Sequence, residues 1–152
     1  MWVDGNDPAW RAKRQKYMPS DASTSSQTTA EARWRNNDEL RFSLRSVERY
    51  APWINHIYIV TDNQRPEWLN TEHPKITVVD HTEIMPADAL PVFNSSAIES
   101  CIYKIPGLSE HFLMGNDDTL FAAAVTPDIF FKEDGRPIVR LNRFNRFKWA
   151  RR

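Results

Sequence analysis

The segment His111-Phe-Leu-Met-Gly-Asn-Asp-Asp118 places a mostly apolar run directly before one amide and two carboxylates. Such a run predicts a short buried strand, with the polar residues at its C-terminal end. Ligands of open α/β sheets bind at the carboxyl ends of strands. Adjacent carboxylates repel each other, and a divalent metal ion that carries a phosphate removes this repulsion. The segment therefore indicates either a metal and phosphate site or, as the plainer alternative, a solvated turn.

The length and composition indicate one globular domain. The chain has 152 residues, including six Trp, eight Phe and four Tyr, which suits a domain with a concave site. The single cysteine, Cys101, excludes an intrachain disulfide and a cysteine-based zinc site, and its helical pattern predicts a small buried residue. The sequence contains neither a signal peptide nor an 18-residue apolar run, so it does not predict membrane insertion.

The charge is zero overall but is unevenly distributed. Residues 135–152 contain seven basic and no acidic side chains, which divides the chain into an α/β domain over residues 1–134 and a basic C-terminal extension. The extension suits contact with anionic lipid, a phosphorylated ligand or nucleic acid, and a frayed or cut-off tail is an equal alternative. Because residues 2–7 resemble the end of a strand and residues 149–152 stop in mid-pattern, we expect a fragment of a longer protein.

The order of the predicted elements favours an α/β sandwich of Rossmann type. Continuous β-branched runs predict strands that are covered on both faces. The predicted elements are a helix over 8–18 with Asp7 as its cap, a polar linker over 19–31, a helix over 37–51, a strand over 54–61, a helical turn over 66–69, a strand over 76–79, a loop over 82–93, a helix over 95–105, the strand before Asn116, a short helix or turn over 126–131, a tight turn at 134–135 and an edge strand over 136–141.

Polar residues follow three of the predicted strand ends, namely Asp4, the run Asp62-Asn63-Gln64, and the run Asn116-Asp117-Asp118. Carboxyl ends of parallel strands meet at one edge of a sheet, so these side chains are expected to lie near one another. The glycine-rich dinucleotide motif and the phosphate-loop lysine motif are both absent. A nucleotide would therefore be held by a metal ion and by strand-end groups.

The chain resembles the Stealth family along most of residues 2–7 and 33–120. The segment Trp2-Val-Asp-Gly-Asn-Asp7 is similar to the first conserved block of that family. The second block is matched, in order, by residues 35–54, 56–64, 68–70, 90–99, 105–109 and 116–118. The family includes bacterial capsular polysaccharide phosphotransferases and the catalytic part of the animal lysosomal-enzyme N-acetylglucosamine-1-phosphotransferase.

The resemblance implies an incomplete nucleotide-sugar transferase fold of the GT-A-like kind. It also implies transfer of a hexose-1-phosphate from a UDP-sugar donor to a hydroxyl of a glycan acceptor, with release of UMP. A Mg²⁺ or Mn²⁺ ion that bridges the diphosphate would stabilise the charge that develops on the phosphoryl oxygens. The alternative, from another functional class, is a catalytically inactive fragment that binds a nucleotide-sugar or a protein partner.

The resemblance also implies roles for individual residues. Asp117 and Asp118 are the expected metal or diphosphate residues, with Asp118 the stronger candidate for direct metal contact. Asp4 is expected near the nucleotide or the metal, and an Asx turn with Gly5 is its alternative. The expected substrate-binding residues are Arg41, Asn63, Asn94, Ser95, Glu99 and Asn116.

Plainer readings stand beside several of these roles. A solvated helix face is an even alternative for Arg41. Simple helix capping is the alternative for Asn94 and Ser95, and an ordinary surface position is the alternative for Glu99. We expect structural roles for His81 and His111.

The sequence also departs from the family pattern. The strand before Trp2 is missing, Gly115 replaces an apolar residue, and the later blocks, which carry a histidine and an arginine, are not visible. We therefore expect little or no turnover from this chain alone. No nucleic acid is expected as a partner, because no recognised binding motif is present. We expect a place in the cytoplasm, with peripheral contact at the inner membrane through the basic extension.

Overall fold

A computed structural model describes residues 1–18 and 34–140 of the chain. The predicted linker over 19–31 and residues 141–152 of the basic extension lie outside the described residues. No helix within the described ranges is both long enough and apolar enough to cross a membrane.

The described residues combine short helices with one parallel sheet. The helices are α1 (Pro8–Gln15), α2 (Glu39–Tyr50), α3 (His81–Ile84) and α4 (Ser95–Glu99), and the strands are β1 (Ile57–Thr61) and β2 (Ile76–Asp80). Single 3₁₀ turns lie at Ala87–Ala89, Ile102–Lys104 and Pro127–Ile129. The strands pair in parallel, with Ile57 opposite Ile76 and Thr61 opposite Asp80. The α/β class is therefore confirmed, and the larger Rossmann-type sandwich stays a prediction.

Local signals explain where the two longer helices lie. Asp7 caps α1 by accepting a hydrogen bond from Ala9 N–H at 2.8 Å, and Pro8 is the first helical residue, as predicted. Helix α2 lies within the predicted helix over 37–51, and its Leu40 and Leu44 pack against one face of the sheet. This face of the core also contains Trp2, Ile59 and Leu69.

The opposite face of the sheet is covered by the chain that follows β2. Val60 and Val79 pack there against Ile84, Met85, Ile98 and Ile105. Both strands are thus covered on two faces, which confirms the interpretation of their continuous apolar sequence. Within the predicted helix over 95–105, Ala97, Cys101 and Ile102 also pack against this core.

The strand predicted before Asn116 is wrong. Residues 111–118 form no strand, and the side chains of Phe112, Leu113 and Met114 are 42%, 37% and 52% exposed. A strand needs a paired neighbour, and among the described residues Gly115 receives only a single bond, from the Met1 amine to its carbonyl oxygen at 3.1 Å. The apolar run therefore lies at the surface without regular secondary structure.

Several element bounds also differ from the prediction. β1 begins three residues later than predicted, because Ile54 N–H is taken by the turn after α2, where it donates to Ala51 O at 3.0 Å. The predicted loop over 82–93 contains α3, because Asp80 and Glu83 form a capping box at its start.

Other predicted elements are shorter than expected. The predicted first helix ends at Gln15, before residue 18, and the helix over 95–105 gives way to a 3₁₀ turn after Glu99. The predicted edge strand over 136–141 is reduced to one antiparallel bridge between Phe131 and Pro137. Cys101 is half-buried, whereas a buried position was expected.

Substitution of Val79 tests whether the sheet is the centre of the core. Val79 is 1% exposed, so Val79→Ala should lower the free energy of unfolding by about 2 kcal/mol through lost burial and a residual cavity. Val139→Ala is the matched control, because Val139 is 73% exposed and should change stability by only a few tenths of a kcal/mol. Urea denaturation measures both, and equal losses would contradict the described core.

Candidate functional site

A polar pocket lies at the C-terminal end of β1. Its volume is about 450 Å³, and it is lined by Trp2, Asp4, Asp7, Asn36, Asp38, Asn63, Gln64, Arg65, Pro66, Glu67 and Trp68. Two of the predicted site residues, Asp4 and Asn63, are therefore brought together here. The lining carries four carboxylates and one arginine, so an anionic ligand in this pocket needs a further cation.

Gln64 holds the Asp4 loop against the end of β1. Its Oε1 accepts from Asp4 N–H at 2.8 Å, and its Nε2 donates to Asp4 O at 3.1 Å and to Asp7 Oδ2 at 3.0 Å. The last of these bonds is the main cause that holds the pKa of the Asp7 carboxyl below its ordinary value. Asp4 Oδ1 accepts from Asn6 N–H at 2.9 Å, so the Asx turn that the sequence offered as an alternative role for Asp4 is present. Asp4 nevertheless also lines the pocket.

Gly5 makes the close approach of this loop to Trp34 possible. A Cβ atom at Gly5 would lie 1.6 Å from Trp34 O, so any side chain would displace one of the two segments. Trp34 in turn packs against the buried Trp10 of α1, with ring centroids 5.3 Å apart and the ring planes tilted by 40°. The loop that carries Asp4 is therefore fixed from both sides.

Arg41 lies beside the polar pocket. Its guanidinium is 4.0 Å from Asp38 Oδ2 and 6.0 Å from the ring centroid of Trp68. Asp38 precedes α2 in the left-handed backbone region, with φ of 64°, and its side chain makes no capping bond. Arg41, Asp38 and the exposed ring of Trp68 thus form one rim of the pocket.

The predicted acidic residues lie in a turn that is attached to α2. Thr119 N–H donates to Asn116 O at 3.1 Å and closes the turn around Asp117 and Asp118. The hydroxyl of Ser43 donates to Thr119 O at 2.7 Å, and the hydroxyl of Ser46 accepts from Phe121 N–H at 3.0 Å. Two serines on one helix therefore position the carboxylates.

The environment of the turn is electrostatically unfavourable for Asp117 as an anion. Burial is the largest cause that raises the pKa of Asp117, and the charges of Asp118 and Glu39 act in the same direction. The hydrogen bond from its own backbone and the Met1 amine oppose this effect. Glu99, at the end of α4, also acts on the Met1 amine, so Asp117 and Glu99 both lie near that nitrogen.

The structure does not place all predicted residues in one cavity. Asp4 lines the polar pocket, whereas Asp117 lines a second cavity, the groove beside β1. The N-terminus of α2 links the two cavities, because Asp38 lines the polar pocket and the charge of Glu39 acts on Asp117. Asn94 caps α4 by accepting from Ser96 N–H at 3.0 Å, and neither Asn94 nor Ser95 lines either cavity.

The donor set of the acidic turn suits a metal ion that arrives with a ligand. Within residues 1–18 and 34–140, no three His, Cys, Asp or Glu side chains are grouped closely enough to hold a metal ion by themselves. Mg²⁺ is commonly bound by one or two carboxylates together with phosphate oxygens. Asp117 and Asp118 fit that mode, since their oxygens are hard ligands and their mutual repulsion favours a cation.

The two histidines have structural surroundings. His81 is 2% exposed, with its Nδ1 4.0 Å from Asp62 Oδ1, and burial lowers its pKa although the charges of Asp62 and Asp80 oppose this. The direct partner of Asp62 is Lys13 of α1, whose Nζ donates to Asp62 Oδ1 at 2.5 Å. His111 Nε2 lies 2.8 Å from Gly135 O, and its ring contacts the edge of Phe131.

Sequence reasoning missed the residues that position the site. Gln64 and Trp68 lie in the segments that resemble the family. No local pattern distinguishes Gln64, which bonds the Asp4 backbone, or Trp68, which lines the pocket, from other residues at strand ends or in loops. Ser43 and Ser46 lie inside an amphipathic helix, and their partners are more than 70 residues away. A small polar residue buried in a helix, such as Ser46 at 9% exposure, is the only hint the pattern offers.

Comparison with protein families is consistent with this arrangement. Conserved region 2 of the Stealth proteins matches residues 33–139, and conserved region 1 matches residues 2–22. Because the first of these matches covers more than half of the chain, the chain belongs to the Stealth family.

Curated relatives extend the comparison. The chain is 54% identical over 136 residues to an exopolysaccharide phosphotransferase of Streptomyces coelicolor. The aligned region covers 88% of this chain and 22% of the relative. It is 48% identical over 136 residues to a capsular polysaccharide phosphotransferase of Streptococcus pneumoniae, covering 90% and 41%. It is 50% identical over 137 residues to an exopolysaccharide phosphotransferase of Lactiplantibacillus plantarum, covering 90% and 39%. The chain thus spans less than half the length of these relatives.

Removal of the Gln64 amide should loosen the Asp4 loop. Gln64→Ala leaves the N–H of Asp4 without its partner and leaves Asp4 O with only the bond from Asp7 N–H, so it should lower the free energy of unfolding by about 1–3 kcal/mol. Gln15→Ala, at the exposed last residue of α1, is the matched control and should have little effect. Thermal denaturation of both variants checks this expectation, which fails if the two lose stability equally.

The buried His81 should make stability depend on pH. Because the folded-state pKa lies below the ordinary 6.5, the unfolded chain gains a proton first on acidification, and the free energy of unfolding falls as pH drops below about 6.5. The charges of Asp62 and Asp80 raise the pKa of His81 and so reduce the dependence of stability on pH. The charges of Lys13 and the Met1 amine lower this pKa and so increase that dependence. Urea denaturation between pH 7.5 and 5.5 should show a smaller slope for His81→Gln. The exposed His73→Gln should keep the wild-type slope, and an unchanged slope in His81→Gln contradicts the assignment.

Proposed function

We propose that the chain forms the donor-binding part of a sugar-1-phosphate transferase with a GT-A-like fold. The reaction moves a hexose-1-phosphate from a UDP-sugar to a hydroxyl of a glycan acceptor in capsular or exopolysaccharide synthesis, and UMP leaves. The relatives are named as phosphotransferases of such polysaccharides, which supports this class of reaction. The observation that carries the proposal is the acidic turn fixed on α2, with the N-terminus of that helix between the turn and the polar pocket.

The polar pocket is the proposed place of the nucleotide. The exposed ring of Trp68 offers a flat surface to a base, and the side chain of Asn63 offers polar atoms to a ribose. Asp4 lies in the same wall with its backbone clamped by Gln64. Arg41, at the rim, is proposed to bind a phosphate oxygen in exchange for its contact with Asp38.

The diphosphate is proposed to lie between the N-terminus of α2 and the acidic turn. The positive end of the helix dipole favours an anion there. Asp117 and Asp118 would hold a Mg²⁺ or Mn²⁺ ion together with phosphate oxygens. Such an ion neutralises the diphosphate and polarises its phosphorus–oxygen bonds. The serine contacts of α2 keep the two carboxylates in place while the acceptor hydroxyl approaches.

The remaining predicted residues are proposed to contact the sugars or an anion. Asn116 borders the acidic turn, and Glu99, like Asp117, acts electrostatically on the Met1 amine. Asn94 and Ser95 are the weakest of these proposals, because the side chain of Asn94 is already used to cap α4. Residues 135–152 are proposed to bring the protein to anionic lipid on the cytoplasmic face of a membrane, and their support is their uniformly basic charge.

Calorimetric titration with UDP-N-acetylglucosamine tests the metal role. Wild-type chain should bind more tightly with Mg²⁺ than without it, because the ion relieves the repulsion between carboxylates and diphosphate. Asp118→Asn should lose at least about tenfold of the affinity in Mg²⁺ and change little in its absence, on the scale of a lost charge-assisted contact.

Asp88→Asn is the matched control, since Asp88 is exposed and lines neither cavity. It should bind as the wild-type chain does. Unchanged metal-dependent affinity in Asp118→Asn contradicts the proposed metal role, and equal losses in both variants contradict the location of the site.

A further inference from the structure

Aromatic side chains join the C-terminal end of α1 to the loop before α4. The ring centroid of Phe93 lies 5.8 Å from that of Trp10 and 6.1 Å from that of Tyr17. Trp10 is buried, whereas Tyr17 is 60% exposed although its ring packs against Phe93. The outer end of this cluster is therefore an aromatic surface that is held by a buried ring and open to solvent.

The same end of α1 is basic. Residues 8–16 include four basic side chains and no acidic one. The guanidinium of Arg14 lies 4.3 Å from the ring centroid of Trp34, and Lys16 is exposed. Burial lowers the pKa of Arg14, so an anion beside this side chain would stabilise its charged form. Basic groups beside an exposed ring suit a ligand that has both apolar faces and negative charge.

Helix α4 leads from this surface toward the acidic turn. Phe93 directly precedes the capping residue Asn94, and the five residues of α4 span about 7 Å. At the other end of α4, the charge of Glu99 acts on the same Met1 nitrogen as the charge of Asp117 does. A ligand that contacts both the exposed ring and the acidic turn is therefore longer than a single sugar.

The chemistry of the transfer supplies such a ligand, and this step rests on the proposed function. The acceptor oxygen forms a bond to the β-phosphorus, and the bond from that phosphorus to the bridging oxygen breaks. UMP leaves with the bridging oxygen, and the hydroxyl proton passes to a base or to solvent. The product is a phosphodiester, so each added sugar brings one negative charge. A glycan that has already been extended is therefore an anionic acceptor for the next transfer.

We propose that Arg14, Lys16, Tyr17 and Phe93 form an acceptor surface, which binds a phosphodiester-linked stretch of the acceptor glycan. The C–H face of a pyranose packs on the exposed ring of Tyr17, because these hydrogens are attracted to the negatively polarised face of an aromatic ring. Arg14 and Lys16 pair with the phosphodiester oxygens. The reacting end of the glycan then runs along α4 to the acidic turn. The surface thus favours extended, charged acceptors over neutral ones.

Nuclear magnetic resonance titration of the full chain tests this surface with three probes. They are a phosphodiester-linked tetramer of N-acetylglucosamine, the neutral glycosidic tetramer of the same sugar, and inorganic triphosphate. The phosphodiester tetramer should shift the signals of Tyr17 and Phe93. It should also bind at least about tenfold more tightly than either other probe, on the scale of one charge-assisted contact combined with one ring contact.

Substitutions locate the binding. Tyr17→Ala should weaken binding of the phosphodiester tetramer about fivefold, and Lys16→Gln about threefold. Tyr103→Ala and Lys104→Gln are the matched controls, because Tyr103 is 70% exposed, Lys104 lies beside its ring, and neither belongs to the acceptor surface. Both controls should bind the tetramer as the wild-type chain does.

The same variants separate this surface from the proposed donor site. All four should keep the Mg²⁺-dependent affinity for UDP-N-acetylglucosamine. Normal donor binding without tetramer binding removes the acceptor surface alone. Tetramer binding at Tyr17 without metal-dependent donor binding removes the donor site and leaves the surface as a glycan-binding one.

Three results would overturn the inference. Equal affinity for the neutral tetramer means that the phosphodiester is not recognised. Equal shifts of the Tyr17 and Phe93 signals by triphosphate mean a general attraction of polyanions without a contact to sugar. Equal losses in Tyr17→Ala and Tyr103→Ala, or no loss in either, mean that the glycan binds elsewhere on the protein.

Discussion

The hydroxyl of Ser46 is the contact on which the candidate site depends. It is 9% exposed, donates to Ser43 O at 2.7 Å and accepts from Phe121 N–H at 3.0 Å. The same helix packs Leu40 and Leu44 against the sheet. Helix α2 therefore joins the rigid core to the acidic turn, and its N-terminus borders the polar pocket. A shift of this helix would move the carboxylates relative to the pocket.

Charge and polarity are divided sharply between the two cavities. The polar pocket collects carboxylates around one arginine, whereas the groove beside β1 is lined mainly by apolar side chains. Asp117 also lines the groove, and burial raises its pKa. The polar pocket thus offers charged groups to a ligand, whereas the groove offers mainly apolar surface. The N-terminus of α2 links the acidic turn to the polar pocket.

The sequence predicted what is determined locally. The cap at Asp7, the position of α2 and both strands follow from patterns over a few residues. The strand predicted before Asn116 was wrong because an apolar run forms a strand only beside a paired neighbour, and pairing is not local. The clamp of Gln64 on Asp4 joins residues 60 positions apart, which no short pattern encodes. The shared surroundings of Asp117 and Glu99 were likewise visible only after folding.

We propose that a metal-bound diphosphate lies between the acidic turn and the N-terminus of α2, beside the polar pocket. Nuclear magnetic resonance of the chain with UDP-N-acetylglucosamine and substoichiometric Mn²⁺ tests it most directly, because the ion broadens nearby amide signals. We expect selective broadening at Asp117, Asp118 and Glu39, with weaker effects at Asp4 and Asn63. Broadening confined to other surfaces, or the same pattern in Asp118→Asn, would contradict it.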